Sequence, residues 1–259
     1  MTGHVAALYR HPVKGFTPER LGHADLAAGG PFPCDRLFAV ENGPSGFDPA
    51  APAWISKQKF AVLAAIPQVA KARTAYDEAS GVLTATAEGL PPFSGALAEP
   101  PVREAFTAWL AQVIGPQDLR GPLRIVDAPG HRFMDHPKGD VSIVNLASVR
   151  DLESKIGRPV DPLRFRANVY VEGWPAWAEN DWMGGELMLG FARARVFEPI
   201  VRCAATHVDP ATAECDMDVA KALFDNYGHM KLGVYVHVTA SGRVSTGDAV
   251  TAPTLEPAA

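Results

Sequence analysis

The residue best suited to do chemistry in this chain is Cys203, which stands beside Arg202 in the stretch EPIVRCAATHVDP. The other cysteines are Cys34 and Cys215. A thiolate can act as a nucleophile when a cation such as Arg202 lies nearby and a base such as His207 takes the proton. A thiolate is also a soft metal ligand, and an isolated cysteine often fills core space as a small apolar residue. These three interpretations of Cys203 stay open at this point.

The remaining cysteines and histidines do not form a recognisable metal motif. No second cysteine stands at the CxxC spacing of a zinc finger, and three cysteines cannot all pair within one chain. His131, Asp135 and His136 stand close together in HRFMDHP, but their spacing matches no known motif. We therefore predict a loop with two histidines at this position.

The stretch PLRFRANVYVEG, residues 162–173, alternates apolar and polar side chains and is predicted to form a strand. Its polar face would carry Arg164, Arg166 and Asn168. Such a face can simply be solvated, as on the outside of many antiparallel sheets. Alternatively, the planar paired donors of a guanidinium suit phosphate oxygens, and the amide of Asn168 could bond a polar heterocycle.

Two further cations near the N-terminus could contact a phosphate. In ALYRHPVKGF, Lys14 offers a point charge, and Gly15 would let the backbone approach a ligand closely. Lysine in a turn also serves solubility alone. In CDRLFAV, Asp35 and Arg36 could form a local ion pair instead of binding a ligand. No Walker-type loop or dinucleotide fingerprint is present, so dispersed side chains would have to hold any phosphate.

Period-two patterns dominate the chain, so we predict an α+β fold that is mostly β. GVYVHV places Val234, Val236 and Val238 on one face of a strand, and RLFAV and ARARV are also predicted strands. Apolar spacing of three and four residues predicts short helices at 106–113, 149–156 and 219–224.

Composition excludes several classes of protein. The 259 residues are 47% apolar and 20% charged, and the formal net charge of −5 does not fit a strongly basic nucleic-acid-binding protein. The chain starts without a secretory apolar segment, and no apolar run approaches the length of about 18 residues that a membrane span needs. We therefore predict a cytoplasmic protein with neither nucleic-acid nor membrane partners.

Five stretches, in this order along the chain, resemble the MOSC family, which is named after the C-terminal domain of molybdenum cofactor sulfurase. They are LYRHPVKGF, CDRLFAV, DPLRFRANVYVEG, VRCAATHVDPATAE and YGHMKLGVYVHVTASGRVSTGDAV. Their order resembles an N-terminal MOSC β-barrel domain followed by the MOSC domain. The resemblance implies a MOSC-type β-barrel with a smaller β-rich N-terminal domain and a few short helices. We place the two domains at residues 1–118 and 119–255.

The resemblance also implies a cofactor and its contacts. In the amidoxime-reducing branch of the family, the cysteine of an Arg-Cys pair ligates molybdenum, so a molybdenum–molybdopterin cofactor is expected, with Cys203 as metal ligand and catalytic residue. The implied cofactor contacts are Lys14, Gly15, Arg36, Lys57, Gln58, Arg166, Asn168 and Arg202. Pyridoxal phosphate stays open as another phosphorylated ligand. Gly15, Ala167 and Ile200 depart from the family pattern, where serine, proline and cysteine are usual.

The implied function is a molybdenum-dependent oxidoreductase that reduces N-hydroxylated small molecules. No ferredoxin-like module follows the last motif, so we expect a separate electron-donor protein. His207 and Asp209 stand near enough to Cys203 in sequence to assist proton delivery. The alternatives are a carrier of the cofactor or of sulfur on Cys203, without catalysis, and a domain that has lost its cofactor and only mediates interaction.

Overall fold

The structure, a computed structural model, describes residues 1–136 and 141–253. In these ranges the chain forms fifteen strands and three α-helices, which confirms the mostly β, α+β class. The strands are β1 (Thr2–Arg10), β2 (Glu19–Leu21), β3 (His23–Leu26), β4 (Ala39–Asn42), β5 (Arg73–Asp77), β6 (Val82–Thr86), β7 (Phe93–Ala96), β8 (Leu123–Val126), β9 (Val141–Asn145), β10 (Val169–Glu172), β11 (Glu186–Leu189), β12 (Ala192–Val201), β13 (Lys231–Ala240), β14 (Gly242–Ser245) and β15 (Ala249–Thr251). The helices are α1 (Pro100–Ile114), α2 (Leu146–Ile156) and α3 (Val219–Tyr227).

Seven of these strands close into a barrel, in the order β1, β10, β9, β13, β12, β11, β15, with β15 pairing back to β1. Every pair is antiparallel except β9 with β10. Closure pairs the backbone of each strand on both sides and so removes exposed sheet edges. Val234, Val236 and Val238 are all buried in the barrel interior, which confirms that they share one face.

A second core lies beside the barrel, under α1 and the small sheets β4–β8 and β5–β6–β7. Phe106 and Leu110 of α1 are fully buried in it, and Gly115 ends the helix, as the spacing predicts. The two cores belong to neither half of the chain alone. Val208, from the C-terminal half, packs into the second core, whereas β1 belongs to the barrel. The division between residues 118 and 119 therefore stays a prediction.

The other two predicted helices are also confirmed. Asn145 caps the start of helix α2, since its side-chain oxygen accepts the N–H of Ala147 at 3.0 Å, and Gly157 follows the last helical residue in the left-handed region. Asp218 caps α3 in the same way. Among the helices of residues 1–136 and 141–253, none has the length and apolar character needed to cross a bilayer.

The predicted strand over residues 162–173 is wrong in its first half. Pro162–Phe165 form a 3-10 turn, Arg166 is left-handed with φ of 53°, and β10 starts only at Val169. The side chain of Asp161 accepts the N–H of Leu163 at 2.8 Å and caps this turn. This local hydrogen bond, together with the proline at the start of the turn, outweighs the period-two pattern.

Glu179 is a buried carboxyl group that joins α2 to the barrel. It is 1% exposed and accepts hydrogen bonds from Asn145 Nδ2 and Ser148 Oγ, both at 2.8 Å. Burial raises the pKa of Glu179 above its usual value, although these two hydrogen bonds act in the opposite direction. The folded protein therefore holds a proton on Glu179 at pH values where the unfolded chain has lost it.

This raised pKa predicts a pH dependence of stability. As pH rises from about 4.5 through the raised pKa of Glu179, the wild type should lose free energy of unfolding relative to Glu179→Gln, by about 1.4 kcal/mol for every pH unit between the unfolded and the folded pKa. Urea unfolding at a series of pH values measures the difference. Glu104→Gln, on the exposed face of α1, is the control and should show no such trend. A difference between wild type and Glu179→Gln that does not change with pH would contradict the prediction.

Candidate functional site

A cleft of about 620 Å³, including the part open to solvent, contains Cys203 in its wall. Both halves of the chain contribute to the wall. The lining residues are Arg36, Lys57, Met134, Asp135, His136, Ser142, Arg164, Phe165, Arg166, Ile200, Val201, Arg202, Cys203, Ala205, Thr206 and Tyr235.

Cys203 lies just beyond β12, at the start of a short 3-10 turn. Thr206 donates both its N–H and its hydroxyl to the Cys203 carbonyl, at 3.0 and 2.9 Å, and so fixes the backbone that carries the sulfur. The residue is partly exposed rather than sealed in the core. Lys57 Nζ lies 3.0 Å from Cys203 Sγ. Burial lowers the pKa of Lys57, but the contact with Cys203 outweighs it and raises this pKa above its usual value.

Arg202 supplies a buried cation immediately before the cysteine. Its Nε donates to the Leu232 carbonyl and its Nη1 to the Phe165 carbonyl, both at 2.8 Å, and the guanidinium lies 5.2 Å from the centre of the Phe165 ring. Burial lowers the pKa of Arg202 to about 10, so it stays charged at neutral pH. Backbone carbonyls orient this charge without neutralising it.

Arg166 and Arg36 place two more cations side by side. Arg166 donates to the Phe16 carbonyl at 2.6 Å, and Arg36 donates to the Arg166 carbonyl at 3.4 Å. Burial, followed by the charge of Arg36, lowers the pKa of Arg166 to about 10. Arg36 forms an ion pair with the neighbouring Asp35, as the alternative interpretation of CDRLFAV predicts. Within residues 1–136 and 141–253, neither Arg166 nor Arg202 is paired with a carboxylate.

Lys14 lies behind the cleft wall and is 2% exposed. Its ammonium donates to the Phe133 carbonyl at 2.8 Å and to Asp135 Oδ1 at 2.7 Å. Burial lowers the pKa of Lys14, although Asp135 opposes this shift. Partial burial raises the pKa of Asp135, but the charges of Lys14 and Arg36 outweigh it and hold this pKa well below its usual range.

The structure thus brings together most of the cations predicted from the sequence. Arg36, Lys57, Arg166 and Arg202 line the cleft together with Cys203. Lys14 reaches the same cluster through Asp135. The result is a concentration of positive charge around one sulfur, in a chain whose net charge is −5.

Three predicted contacts lie elsewhere, and their role toward a ligand stays a prediction. Gln58 is exposed and is not among the residues lining the cleft. Gly15 has φ of +87°, and a Cβ there would lie 2.7 Å from Val62 Cα, so local packing already requires a glycine. Asn168 is fully buried, with Oδ1 accepting the N–H and hydroxyl of Ser142 at 3.0 and 2.8 Å.

His207 and Asp209, which the sequence suggested for proton delivery, are also outside the cleft lining. His207 Nε2 lies 3.0 Å from Asp218 Oδ1. Asp209 organises its own turn by accepting the N–H of Ala211 at 2.7 Å and of Thr212 at 3.1 Å. Their positions give the proton-delivery hypothesis no support.

Sequence reasoning missed several residues of the wall. Asp135 and His136 were part of HRFMDHP, but nothing in that stretch indicated that Asp135 would reach a lysine 121 residues away. Ser142 and Tyr235 sit in apolar strands and gave no signal. Across the described ranges, no group of three or more histidine, cysteine or acidic side chains could hold a metal ion.

Comparisons with known proteins identify related chains. Human mitochondrial amidoxime-reducing component 1 is 29% identical over 124 residues, 42% of this chain and 35% of that protein. Molybdenum cofactor sulfurase of Caenorhabditis elegans is 31% identical over 136 residues, 51% of this chain and 18% of that protein. The matches thus span about a third or less of these curated relatives.

Among solved structures, the YUAD protein of Bacillus subtilis superposes with a TM-score of 0.48 at 16% identity, covering 99% of this chain and 98% of that one.

Two family models match the chain. The MOSC N-terminal beta barrel domain matches residues 2–117, and the MOSC domain matches residues 130–251. The chain therefore belongs to the MOSC family.

Proposed function

We propose that the cleft binds a molybdenum–molybdopterin cofactor and that the protein is a molybdenum-dependent oxidoreductase, with the Cys203 thiolate as the metal ligand. The observation that carries the proposal is the cluster of cations around one accessible sulfur, in which Arg166 and Arg202 have no carboxylate partner among the described residues. The relatives named as amidoxime-reducing components and as molybdenum cofactor sulfurase support the same cofactor.

The donors present fit a phosphorylated ligand. Guanidinium groups form short, charge-assisted hydrogen bonds with phosphate oxygens, and a lysine adds a point charge. Arg36, Arg166 and Lys14 would hold the phosphate of the cofactor, while Lys57 and Arg202 would offset negative charge near the sulfur. Carbonyl contacts already orient Arg166 and Arg202, so little side-chain freedom remains to be lost when the ligand binds.

When bound, the cofactor supplies the two-electron chemistry of the reaction. The chain holds the metal through Cys203 and leaves a partly exposed approach beside Val201, whose exposed fraction is 58%. Met134, Ile200 and Val201 give this approach an apolar wall that can bind the body of a small molecule. We propose N-hydroxylated compounds as substrates, which take up two electrons and two protons and release water. A separate protein supplies the electrons, and the cytoplasmic location stays a prediction.

The accessibility of Cys203 also favours a second candidate function, a carrier of the cofactor or of sulfur. A sulfur carrier must expose its cysteine to form a persulfide, and Cys203 is partly exposed with Lys57 3.0 Å away. An enzyme that uses Cys203 as a metal ligand must instead keep this sulfur bound to the metal. The carrier therefore predicts a persulfide on Cys203, whereas the enzyme predicts a bond between Cys203 Sγ and the metal.

Metal analysis distinguishes the two candidates. Wild-type protein from a host that makes the cofactor should contain molybdenum and pterin near one equivalent per chain, whereas Cys203→Ser should lose the molybdenum–thiolate signature. Elemental analysis, pterin fluorescence and X-ray absorption measure these quantities. Cys215→Ser, at an exposed cysteine, is the control and should retain both. Stoichiometric persulfide on metal-free wild type would overturn the oxidoreductase proposal and support the carrier.

Arg164 holds the segment that carries Cys203. Its side chain is 2% exposed and donates to the His207 carbonyl at 3.0 Å, to Asp209 at 3.0 Å and to Asp216 at 2.7 Å. Its neighbour Phe165 accepts the hydrogen bond of Arg202 described above. The 3-10 turn at Pro162–Phe165 is therefore hydrogen-bonded to the chain both before and after Cys203. We infer that Arg164 positions Cys203 and does not itself bind the ligand.

Arg164→Met tests this positioning role. The variant removes the hydrogen bonds to these residues and a longer one to the Thr206 carbonyl at 3.4 Å. We therefore expect a loss of about 1–3 kcal/mol in stability and an altered rate of Cys203 alkylation in the cofactor-free protein. Peptide mapping by mass spectrometry separates Cys203 from the other cysteines. Arg158→Met is the matched control, because Arg158 binds the same Asp216 at 2.8 Å from the surface without touching the Cys203 segment. Equal alkylation rates in both variants and wild type would contradict the role.

A further inference from the structure

Three cations of the cleft wall, Lys57, Arg166 and Arg202, have no carboxylate partner in the part of the chain that the structure describes. Lys57 Nζ donates to Cys203 Sγ at 3.0 Å. Arg202 precedes Cys203 in the chain and interacts with it electrostatically. The uncompensated positive charge of the cleft therefore lies beside a thiol whose ionised form is a good nucleophile.

The other charged groups of the wall are balanced by their neighbours. Arg36 is offset by Asp35. Asp135 is bound by Lys14 Nζ at 2.7 Å, so its carboxylate does not cancel the charge of the three unpaired cations. The cleft keeps a positive potential around Cys203 for this reason.

Cys203 and Arg166 are both partly exposed, so a small solute can reach them. Arg166 Nη1 donates to the Phe16 carbonyl at 2.6 Å, and its other nitrogens have no hydrogen-bond partner among the described residues. A guanidinium carries several N–H donors, and those that are free can bind the oxygens of an anion. An anion bound there would share the cleft with the sulfur of Cys203.

A thiolate among cations is suited to attack an electrophile that is itself an anion. In water two anions repel one another, which slows such a reaction. Fixed cations stabilise the combined negative charge of the transition state and need no reorganisation during the step. Thiosulfate is an electrophile of this kind, because it is a dianion whose outer sulfur can be transferred to a thiolate.

We propose that the cofactor-free protein takes up sulfur on Cys203 from a small dianionic donor of the thiosulfate type. The thiolate attacks the outer sulfur, a bond forms between this sulfur and Cys203 Sγ, and the sulfur–sulfur bond of thiosulfate breaks. The electron pair of the broken bond leaves with sulfite, and Cys203 becomes a persulfide anion. Atoms and total charge are conserved, and the step needs no oxidant, reductant or proton. Lys57 stabilises the charge on the reacting sulfurs, and Arg166 and Arg202 stabilise the departing sulfite.

This activity goes beyond the molybdenum-dependent reaction, since it requires a sulfur that no metal occupies. It rests on the second candidate function in one respect, which is that Cys203 forms a persulfide. It adds the chemical class of the donor and the residues that select it.

Thiocyanate formation measures the activity. The 259-residue chain, produced in a host that cannot make the cofactor, is incubated with thiosulfate and cyanide. Cyanide attacks the outer sulfur of the persulfide, leaves as thiocyanate and regenerates the Cys203 thiolate. Wild type should form thiocyanate, and without cyanide the peptide that contains Cys203 should gain the mass of one sulfur atom.

Two cysteine variants are compared in the same assay. Cys203→Ser should lose both signals, whereas Cys215→Ser, at an exposed cysteine, should retain both. Thiocyanate formation that is equal in wild type and Cys203→Ser would overturn the proposal.

A second donor isolates the effect of charge. Methanethiosulfonate transfers its outer sulfur in the same way but carries one negative charge less, because a methyl group replaces an oxygen of thiosulfate. Loss of a cation weakens the attraction for a dianion more than for a monoanion. In Lys57→Gln, kcat/KM for thiosulfate should fall about tenfold, and the ratio of kcat/KM between thiosulfate and methanethiosulfonate should fall about threefold.

Two further lysine variants serve as controls. Lys57→Arg keeps the charge and should keep the ratio between the donors. Lys59→Gln removes an exposed lysine outside the cleft lining and should also leave the ratio unchanged. A merely structural role of Lys57 lowers kcat/KM for both donors alike, so an unchanged ratio in Lys57→Gln would contradict the proposal.

The salt dependence of wild type decides the question if Lys57→Gln does not fold. Salt screens the attraction of the cleft for a dianion more strongly than for a monoanion. The rate with thiosulfate should therefore fall more steeply with ionic strength than the rate with methanethiosulfonate. Equal slopes for the two donors would reject the role of the cations.

The outcome is separable from that of the proposed function, because thiosulfate is added here to protein that has never contained the cofactor. Sulfur transfer by this protein, with no molybdenum or pterin in protein from a cofactor-producing host, would support the transfer activity and reject the cofactor. Molybdenum and pterin in that host, with no thiocyanate formed by the cofactor-free protein, would support the cofactor and reject the transfer activity.

Discussion

Positive charge withdrawn from water is the constraint on which the rest of this site depends. Burying an ion without compensation costs several kcal/mol, so the fold must provide oxygen atoms to each enclosed cation. For Arg202 these are the carbonyls of Leu232 and Phe165, and for Arg166 the carbonyl of Phe16. Carbonyl dipoles stabilise and orient a guanidinium but leave its unit charge uncompensated. The cleft therefore keeps a positive potential that a bound anion can use.

The carbonyls and cations reach these positions because the backbone leaves regular structure around the cleft. Arg36 and Arg166 both adopt left-handed φ values, 51° and 53°, which cost a non-glycine residue about 1–2 kcal/mol. These unfavourable backbone conformations occur at the two residues whose cations share one wall of the cleft. The stability of the closed barrel compensates for them.

The sequence predicted the regular elements better than the site. Repeated valines such as Val234, Val236 and Val238 indicated a barrel strand correctly, because burial on one face enforces period two. The same pattern misled at residues 162–168, where a capped turn interrupts it. The cationic cluster followed from resemblance to a family. The Lys14–Asp135 pair could not be predicted, since local spacing carries no information about a contact across 121 positions.

Both halves of the chain contribute residues to the cleft wall. Arg36 and Lys57 of the wall come from the N-terminal half, as does Lys14 behind it, whereas Arg166 and Cys203 come from the C-terminal half. These like charges repel across the junction, and apolar packing has to oppose that repulsion, including the packing of Val208 into the N-terminal core. An anion bound between them turns the repulsion into attraction on both sides. A ligand that binds only the folded state raises the free energy of unfolding according to its concentration and affinity. Binding of an anion in the cleft therefore also stabilises the association of the two halves of the chain.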